Sequence, residues 1–412
     1  MPGSRPPCNE RSCFETQLAR TCTRRQGLLF TLLASCAPPP ISAADRAPIP
    51  DPRPVEKACP RRLGPEAIDE AIALGTSFLL NNQRPEGNFA YLYDWRTQRD
   101  DDDDSPVRQA GALWALALLH RRDSTPELRA ALDRGLAFFD RHTVVVDQRA
   151  HVNYPGFDVG RLGTVCLLGL AYLDRRRVVD DPVADARLRA LLDFVKRARR
   201  TGGGFHQAHT ISGRAVGARS PYFDGEALLF LTRAAQELDP TLGPLALDEA
   251  DRGHHRHVTQ ALRRDPDSSE TKGYYQWCSM ALSKLAPDHP RMGDRLLRLA
   301  VWMVDVHQTL SRRRNTAYAY EGLVVAYAEA ERRGDDAMVR KLGCVIEQGL
   351  AKLMSWQVGF SDANRAIAGA GPVADRRARG GVQNHAVESG LRIDVTQHQM
   401  HALLLAREHY LD

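Results

Sequence analysis

Acidic and histidine side chains stand at the start of, or one turn inside, apolar stretches that are typical of buried helices. In "PYFDGEALLFL", Asp224 and Glu226 precede a run of apolar residues. "AYEG" places Glu321 inside another such stretch, and "TQHQMHALLL" carries His398 and His401. A buried carboxylate is costly without a partner, and carboxyl and imidazole groups are the usual proton carriers of enzymes. We therefore take Glu226, Glu321 and His398 as candidate catalytic residues.

Each of these residues also has a structural interpretation. Asp224 is expected to cap its helix by accepting hydrogen bonds from the first-turn N–H groups. Glu226 would be stabilised by the helix dipole in the same turn. His398 and His401 fit interior histidines that are held by hydrogen bonds. Which interpretation applies depends on where these helix ends point.

Helical periodicity runs through most of the chain, with apolar residues at steps of three and four between Gly- and Pro-containing stretches. We predict twelve helices in six pairs: 66–82 with 107–120, 126–142 with 160–175, 182–200 with 224–237, 244–263 with 273–285, 289–308 with 315–333, and 335–356 with 393–409. The first helix of each pair is amphipathic, and the second is apolar nearly all round. This alternation predicts an all-α fold, an (α/α)6 barrel with the second helices inside.

The loop lengths give the barrel a direction. Connections from an outer to an inner helix are mostly long (83–106, 143–159, 201–223 and 357–392), whereas those from an inner to an outer helix are short. All long loops therefore lie on the rim where the inner helices begin. Binding and catalysis concentrate on long loops that a rigid scaffold supports. The helix end with Asp224 and Glu226 is expected to point into that mouth.

The chain resembles the six-hairpin α/α-toroid superfamily, which includes glycoside hydrolases, polysaccharide lyases, sugar epimerases, terpenoid cyclases and protein prenyltransferases. The repeat pattern covers roughly residues 66–410, and "FLLNNQRPEGNF" and "TGGGFH" resemble the Gln/Gly-Phe turns that precede inner helices in such toroids. The aspartate run 100–104 lies in a loop, unlike the helical acid of squalene-type cyclases. Gln276 stands where a prenyltransferase zinc ligand would be, so the resemblance favours the carbohydrate-active members.

The inner-helix starts and the first long loop supply the candidate substrate contacts. Aromatic side chains stack on the apolar faces of sugars, and arginines and carboxylates bind hydroxyl or acidic groups. The loop "GNFAYLYDW" adds Asp94 as a further catalytic candidate. The candidate binding residues are Tyr93, Trp95, Arg108, Tyr222, Tyr275, Tyr318, Arg392 and Asp394.

Composition and cysteine spacing exclude several classes of protein. The net charge of +5 is spread along helices among acidic residues, so we expect no nucleic-acid partner. No CxxC or Cys/His ligand spacing occurs, so we expect no structural zinc, no other metal or cofactor, and no disulfide framework. Cys166, Cys278 and Cys344 fall in apolar helical patterns and are expected to be buried thiols.

The N-terminal segment resembles an export leader. Arg24 and Arg25 precede a short apolar stretch, as in twin-arginine signals, and "LASC" at Cys36 resembles a bacterial lipobox. We expect a signal at 1–36, a proline-rich tether at 37–65 and the toroid domain at 66–412. The protein would then be periplasmic, or held at a membrane through a lipid on Cys36.

Two functions fit these features. The first is an exported enzyme that acts on a polysaccharide or a uronic acid-containing glycan as a hydrolase, lyase or epimerase. Hydrolysis would use a pair of carboxylates, whereas elimination or epimerisation would use a Tyr or His base with an arginine on the sugar carboxylate. The alternative is a non-catalytic lipoprotein that binds a glycan or another partner in the same basin.

Overall fold

A computed structural model describes residues 48–53, 59, 63–364, 367 and 372–411 of the chain. The expected leader with Cys36 and most of the tether lie outside these residues. Residues from 48 onward belong to one compact unit. No helix within the described ranges is long and apolar enough to cross a membrane.

The helices alternate between an outer and an inner layer along the chain. The outer helices are α1 (Pro65–Asn82), α3 (Pro126–Arg141), α5 (Pro182–Arg197), α7 (Gly243–His254), α8 (Ala261–Arg264), α10 (Pro290–Val301) and α12 (Asp336–Met354). The inner helices are α2 (Pro106–Arg122), α4 (Leu162–Arg176), α6 (Pro221–Glu237), α9 (Ser269–Leu285), α11 (Ala317–Arg333) and α13 (Ile393–His409). Several begin with proline, whose fixed φ and missing N–H suit the first helical position.

The inner helices form a closed ring. Each contacts the next in chain order, and α13 returns to contact α2. Their side chains are buried on almost every side, as in α4, where every residue from Leu162 to Asp174 is buried. The outer helices bury only one face against this ring. The predicted (α/α)6 barrel is therefore confirmed.

Short strands occupy the predicted long loops. They form three small antiparallel sheets, in the orders β2-β1-β8, β3-β4 and β5-β6-β7. The strands are β1 (Leu92–Asp94), β2 (Arg99–Asp100), β3 (Thr143–Val146), β4 (Arg149–Val152), β5 (Val159–Arg161), β6 (Ala208–Thr210), β7 (Ala215–Val216) and β8 (Gly390–Arg392). Because β1 pairs with β8, the first and last long loops are joined on the rim.

A repeated hydrogen bond fixes three of these loops to their inner helices. The fourth residue of the helix accepts from the backbone N–H of a residue that follows a glycine turn. The pairs are Phe89 with Gln109 (2.8 Å), Phe205 with Asp224 (2.9 Å) and Val382 with Thr396 (3.1 Å). The turns contain glycines with positive φ, which side-chain-bearing residues rarely adopt.

A residue one to three positions after the outer helix of these same pairs reaches the next outer helix around the ring. Gln83 donates to the carbonyl of Ala131 in α3 at 2.8 Å, and Gln357 donates to the carbonyl of Ala71 in α1 at 2.9 Å. Arg199 forms ion pairs with two acids of α7. Neighbouring hairpins are thus tied together at the rim that carries the long loops.

Asp224 does not cap its own helix as expected. Helix α6 begins at Pro221, and its N-cap residue Ser220 makes no side-chain cap hydrogen bond. Asp224 is buried within the first turn, where Oδ1 accepts from Phe205 N and Oδ2 lies 2.7 Å from Nε2 of His257. The expected cap is therefore wrong, and Asp224 instead connects α6 to a loop and to the outer layer.

The cysteine spacing predicted no disulfide framework, and the structure has one disulfide that this reasoning missed. Cys59 and Cys344 are joined across 285 residues of sequence, which ties the segment before α1 to α12. Cys344 is only partly buried, and the apolar pattern around it reflects the packing face of α12. Cys166 and Cys278 are buried free thiols, as predicted.

Candidate active site

A cavity of about 690 Å³ opens where the inner helices begin. Inner helices or the residues immediately before them supply much of its wall, including Arg108, Arg161, Tyr222, Glu226 and His398. This volume lies within the range of small-molecule sites, about 300–1,000 Å³. The cavity lies at the predicted mouth, and the predicted direction of the α6 end is correct.

A histidine and a carboxylate form a pair in the wall. Nδ1 of His398 on α13 lies 2.7 Å from Oε1 of Glu321 on α11. Glu321 is fully buried and lies behind the histidine, whereas the His398 side chain is 23% exposed and lines the cavity. Because an ionised carboxylate only accepts hydrogen bonds, Nδ1 carries the proton. No hydrogen bond to Nε2 is present among the described residues, and the side chain of His398 lines the cavity.

The pair shifts the pKa of both members. Burial acts to raise the pKa of Glu321, but the charge and hydrogen bond of His398, with help from His401, lower it below the usual value. Burial acts to lower the pKa of His398, but the attraction and hydrogen bond of Glu321 raise it above the usual value. Glu321 is therefore held as an anion that makes His398 a stronger base.

Two polar groups complete the surroundings of Glu321. Nε2 of Gln276 lies 3.4 Å from Oε2 of Glu321 and 3.4 Å from Nδ1 of His398. His401 Nδ1 lies 3.6 Å from Oε2, which is too long for a hydrogen bond, and its ring meets Trp114 edge-on. Gln276 therefore contacts both members of the pair, and His401 lies beside the carboxylate.

Glu226 faces the cavity from the opposite side of the ring. It lies on α6, three inner helices away from α13 in either direction. The residue is 3% exposed, and its Oε2 has no hydrogen-bond partner among the described residues. This oxygen packs against α4 at Gly163, where an added Cβ would lie only 2.2 Å away. Burial raises the pKa of Glu226 well above its usual value, which favours the protonated form that can donate a proton.

Asp394 and two arginines form a second charged cluster in the wall. Arg392 donates two hydrogen bonds to its carboxylate, at 2.9 and 2.6 Å, and Nε of Arg108 lies 3.2 Å away. Burial acts to raise the pKa of Asp394, but Arg392 and Arg108 hold it below the usual value. Asp394 is therefore a fixed anion that orients both guanidinium groups at the cavity.

Of the other charged residues in the wall, Asp104 is engaged by hydrogen-bond donors, whereas Arg161 and Lys272 have no ion-pair partner among the described residues. Asp104 accepts from Tyr154 at 2.7 Å and from Gln109 at 2.8 Å. Arg161 and Lys272 also line the cavity, and neither forms an ion pair with a described residue. Lys272 lies over the ring of Tyr318, with Nζ 5.4 Å from its centre.

The structure separates the predicted site residues into two groups. Glu226, His398, Arg108, Tyr222, Tyr318, Arg392 and Asp394 line the cavity, and Glu321 lies directly behind it. Tyr222 is 48% exposed and offers an open aromatic face.

Four predicted residues are not part of the cavity wall: Asp94, Tyr93, Trp95 and Tyr275. Asp94 accepts from the N–H groups of Arg96 and Thr97 at 2.9 Å each and from Ser389 at 2.6 Å, so it fixes a turn. Tyr93 donates to Asp375 at 2.5 Å beneath Arg377. Tyr275 is fully buried in the core, and Trp95 is almost so.

Several wall residues were not selected from the sequence as site residues, including Lys272, Trp277, Asn315, Asn384 and Gln397. Lys272 and Trp277 flank the "YYQ" stretch on α9, so their position at an inner-helix start was a usable signal. Asn384 lies in a long loop whose path no local pattern fixes. Within the described ranges, no group of three or more His, Cys, Asp or Glu residues is arranged to hold a metal ion.

No protein-family profile and no curated protein sequence matches the chain. Solved structures do match it. Cellobiose 2-epimerase from Bacillus thermoamylovorans aligns with a TM-score of 0.62 at 10% identity, over 83% of this chain and 98% of its own. A D-mannose isomerase aligns with a TM-score of 0.59 at 11% identity, over 84% of this chain and 98% of its own. A family 76 α-mannanase from Bacteroides thetaiotaomicron aligns with a TM-score of 0.56 at 8% identity, over 82% of this chain and 95% of its own. At such identities the likeness establishes the fold, the (α/α)6 toroid.

Proposed function

We propose that this protein is a carbohydrate-active enzyme that moves a proton at the carbon next to a sugar carbonyl, as an epimerase or isomerase does. The observation that carries the proposal is the His398–Glu321 pair in the cavity wall, with Glu226 across from it on the opposite side of the ring. The solved structures that share the fold include a sugar epimerase, a mannose isomerase and a mannanase, which supports a carbohydrate substrate.

His398 is the proposed base. Its Nδ1–H is held by Glu321, which fixes the tautomer with a lone pair on Nε2. Nε2 takes the proton from the sugar carbon, and the C–H electrons move into the adjacent carbonyl to give an enediolate. The imidazolium that forms is stabilised by the buried Glu321 carboxylate, as a triad acid stabilises its histidine.

Glu226 and the arginines have complementary roles. The enediolate oxygen gains negative charge, and Arg108 and Arg392, oriented by Asp394, supply fixed positive charge in the same cavity. Glu226 returns a proton to the carbon from the other face, which inverts its configuration. A carboxyl group whose pKa is raised by burial, on the far side of the ring, is suited to that step.

Hydrolysis is supported less well by the same cavity. A glycosidase requires one carboxylic acid and one available carboxylate on either side of the bond. Glu226 meets the first requirement, but Asp394 is neutralised by two arginines and Asp104 is occupied by Tyr154 and Gln109. Neither is available as the second carboxylate.

The substrate class that we propose is an acidic sugar, such as a uronate or a uronate-containing glycan. Arg161 and Lys272 add two positive charges to the cavity with no acidic partner among the described residues. Both flank α6, which carries Tyr222 and Glu226. A sugar carboxylate there would neutralise them while the ring contacts Tyr222.

We also propose that the protein is exported. The Cys59–Cys344 disulfide supports this, because disulfides persist in oxidising compartments such as the periplasm. Lipid attachment at Cys36 is tested by Cys36→Ser, which should release the protein from membranes into the soluble fraction. Equal membrane partition of both forms would rule the anchor out.

The reaction is tested by incubating the protein with a panel of aldoses, uronic acids and uronate oligosaccharides in D2O. Proton transfer predicts deuterium at the carbon next to the carbonyl, read by NMR, and its loss in His398→Asn. His255→Asn, an exposed histidine, is the matched control. New reducing ends without deuterium would establish a hydrolase instead. Absorbance from unsaturated products would establish a lyase. No turnover, but saturable binding, would establish the glycan-binding alternative.

A further inference from the structure

A second cavity, which we call the basic groove, lies beside the main one on the same rim. Its volume is about 420 Å³, and its wall includes Val146, Arg149, Phe194, Arg197 and Arg214. Two neighbouring loop regions build it: the β3–β4 hairpin, and the turn between β6 and β7, which lies against the end of α5.

Positive charge dominates the groove. Asp147 is the one acidic residue in its wall, and its Oδ2 accepts from Arg149 at 3.1 Å. Arg197 and Arg214 are exposed, and neither has an acidic partner among the described residues. Two histidines in the wall, His151 and His206, are engaged by backbone carbonyls. The groove therefore presents two uncompensated guanidinium groups.

The groove also contains apolar surface. Phe194 is almost fully buried in its wall, and Val146 is 43% exposed at its edge. A wall with aliphatic and aromatic carbon beside guanidinium groups matches a sugar ring that carries an anionic substituent.

The sheet β5-β6-β7 connects the groove to the main cavity. Arg161, at the end of β5, lines the main cavity and pairs with Ala208 on β6. Thr210 ends β6 two residues later, about 7 Å along the strand. The turn that follows carries Ser212, Gly213 and Arg214 into the groove. A chain that leaves the main cavity at Arg161 would therefore reach the groove within a few residues' length.

We propose that the basic groove is a second anion-binding subsite, which holds a carboxylate or sulfate further along an acidic glycan whose terminal residue occupies the main cavity. This rests on the proposed acidic-sugar specificity. Arg197 and Arg214 form the ion pairs, and Val146 at the edge of the groove contacts the sugar ring.

The experiment measures the chain-length effect on affinity. Galacturonic acid and hexagalacturonate are titrated by calorimetry into the full chain with His398→Asn, which prevents turnover. The native groove should make the hexamer bind more tightly than the monomer. Arg197→Ser/Arg214→Ser should reduce the ratio of hexamer affinity to monomer affinity about tenfold, as expected for two exposed ion pairs. Arg189→Ser/Arg340→Ser removes the same charge from exposed positions on α5 and α12 and should preserve the ratio.

The outcomes separate the groove from the proposed function. An unchanged ratio in the groove variant, or an equal fall in the control, would overturn the subsite. The subsite would also be overturned if inorganic sulfate displaced the bound hexamer as effectively as added hexagalacturonate does. The groove would then be a simple anion site. If the monomer neither binds nor exchanges deuterium, but the hexamer still depends on Arg197 and Arg214, the subsite stands and the proposed reaction fails.

Discussion

Two histidines near the rim of the barrel are held by carboxylates, but in different ways. In His257, Nε2 lies 2.7 Å from Asp224 and Nδ1 lies 2.9 Å from Glu270, and the side chain is 2% exposed. In His398, only Nδ1 contacts a carboxylate, and the side chain is 23% exposed and lines the cavity. With both nitrogens occupied a histidine can only hold structure together, whereas one unoccupied nitrogen permits proton transfer.

The surrounding elements explain the difference. His257 lies in a π-helical turn, His255–Gln260, between α7 and α8, and so is enclosed between the outer layer and the start of α6. His398 lies on the inner ring and lines the cavity. The same residue types therefore form a structural network in one layer and a candidate catalytic pair in the other.

The sharpest test of this comparison is His398→Asn. We expect turnover to fall about a thousandfold, because the proposed base is removed. The melting temperature should also fall, because the buried Glu321 carboxylate loses its closest partner. Deuterium incorporation measures the first effect and thermal denaturation the second. Full activity in this variant would place the chemistry elsewhere in the cavity.

Glu321→Gln tests the role of the buried partner. We expect turnover to fall about a hundredfold, because the imidazolium loses its stabilising charge. A base must be neutral, so the native rate should rise with pH through the raised pKa of His398. Without the carboxylate, burial lowers that pKa, and the acidic limb of the pH–rate profile should move to lower pH. A limb that does not move would show that Glu321 does not act through His398.

His257→Asn tests the structural network. Removing the ring leaves the buried Asp224 carboxylate without its closest partner, so we expect the free energy of unfolding to fall by about 3 kcal/mol. Urea denaturation measures this loss. Turnover per folded molecule should change little, because His257 is not in the cavity wall. A variant with native stability and lost turnover would reverse the roles assigned to the two histidines.

Asp224→Asn is expected to have the smallest effect, about 1–2 kcal/mol of unfolding free energy. The amide oxygen can still accept from Phe205 N, while the amide N–H can donate to Nε2 of His257 once Nδ1 carries the proton. Urea denaturation again measures the loss, and the unfolding free energy is compared with that of His257→Asn. A loss larger than that of His257→Asn would mean that the bond to Phe205 is the more important contact.

The sequence allowed the barrel and its mouth to be predicted, because both depend on local properties. Alternating amphipathic and apolar helices require two layers, and loop lengths distinguish the rims. That Glu321 needs a partner could also be predicted, since it is a carboxylate in an apolar helix. Its pairing with His398, 77 positions away, depends on which helices become neighbours when the ring closes. Periodicity does not contain that information.

The errors have the same origin. Asp94, Tyr93 and Trp95 have the residue types of a sugar site, but the β1–β8 pairing turns them into a packed support. Asp224 has the type and position of a cap, yet its partners come from residues 205 and 257. Cys59 and Cys344 carry no spacing signal because 285 positions separate them.

That disulfide also decides how the molecule would bear mechanical tension. It closes a covalent loop from residue 59 to residue 344, so a pull between the two ends of the chain loads only the segments outside the loop. On the C-terminal side that segment includes the second half of α12 and all of α13. A protease or unfoldase that grips the C-terminus would extract α13, and with it His398, before it met the cross-link. The inner helices α2 to α11 would remain within the closed loop.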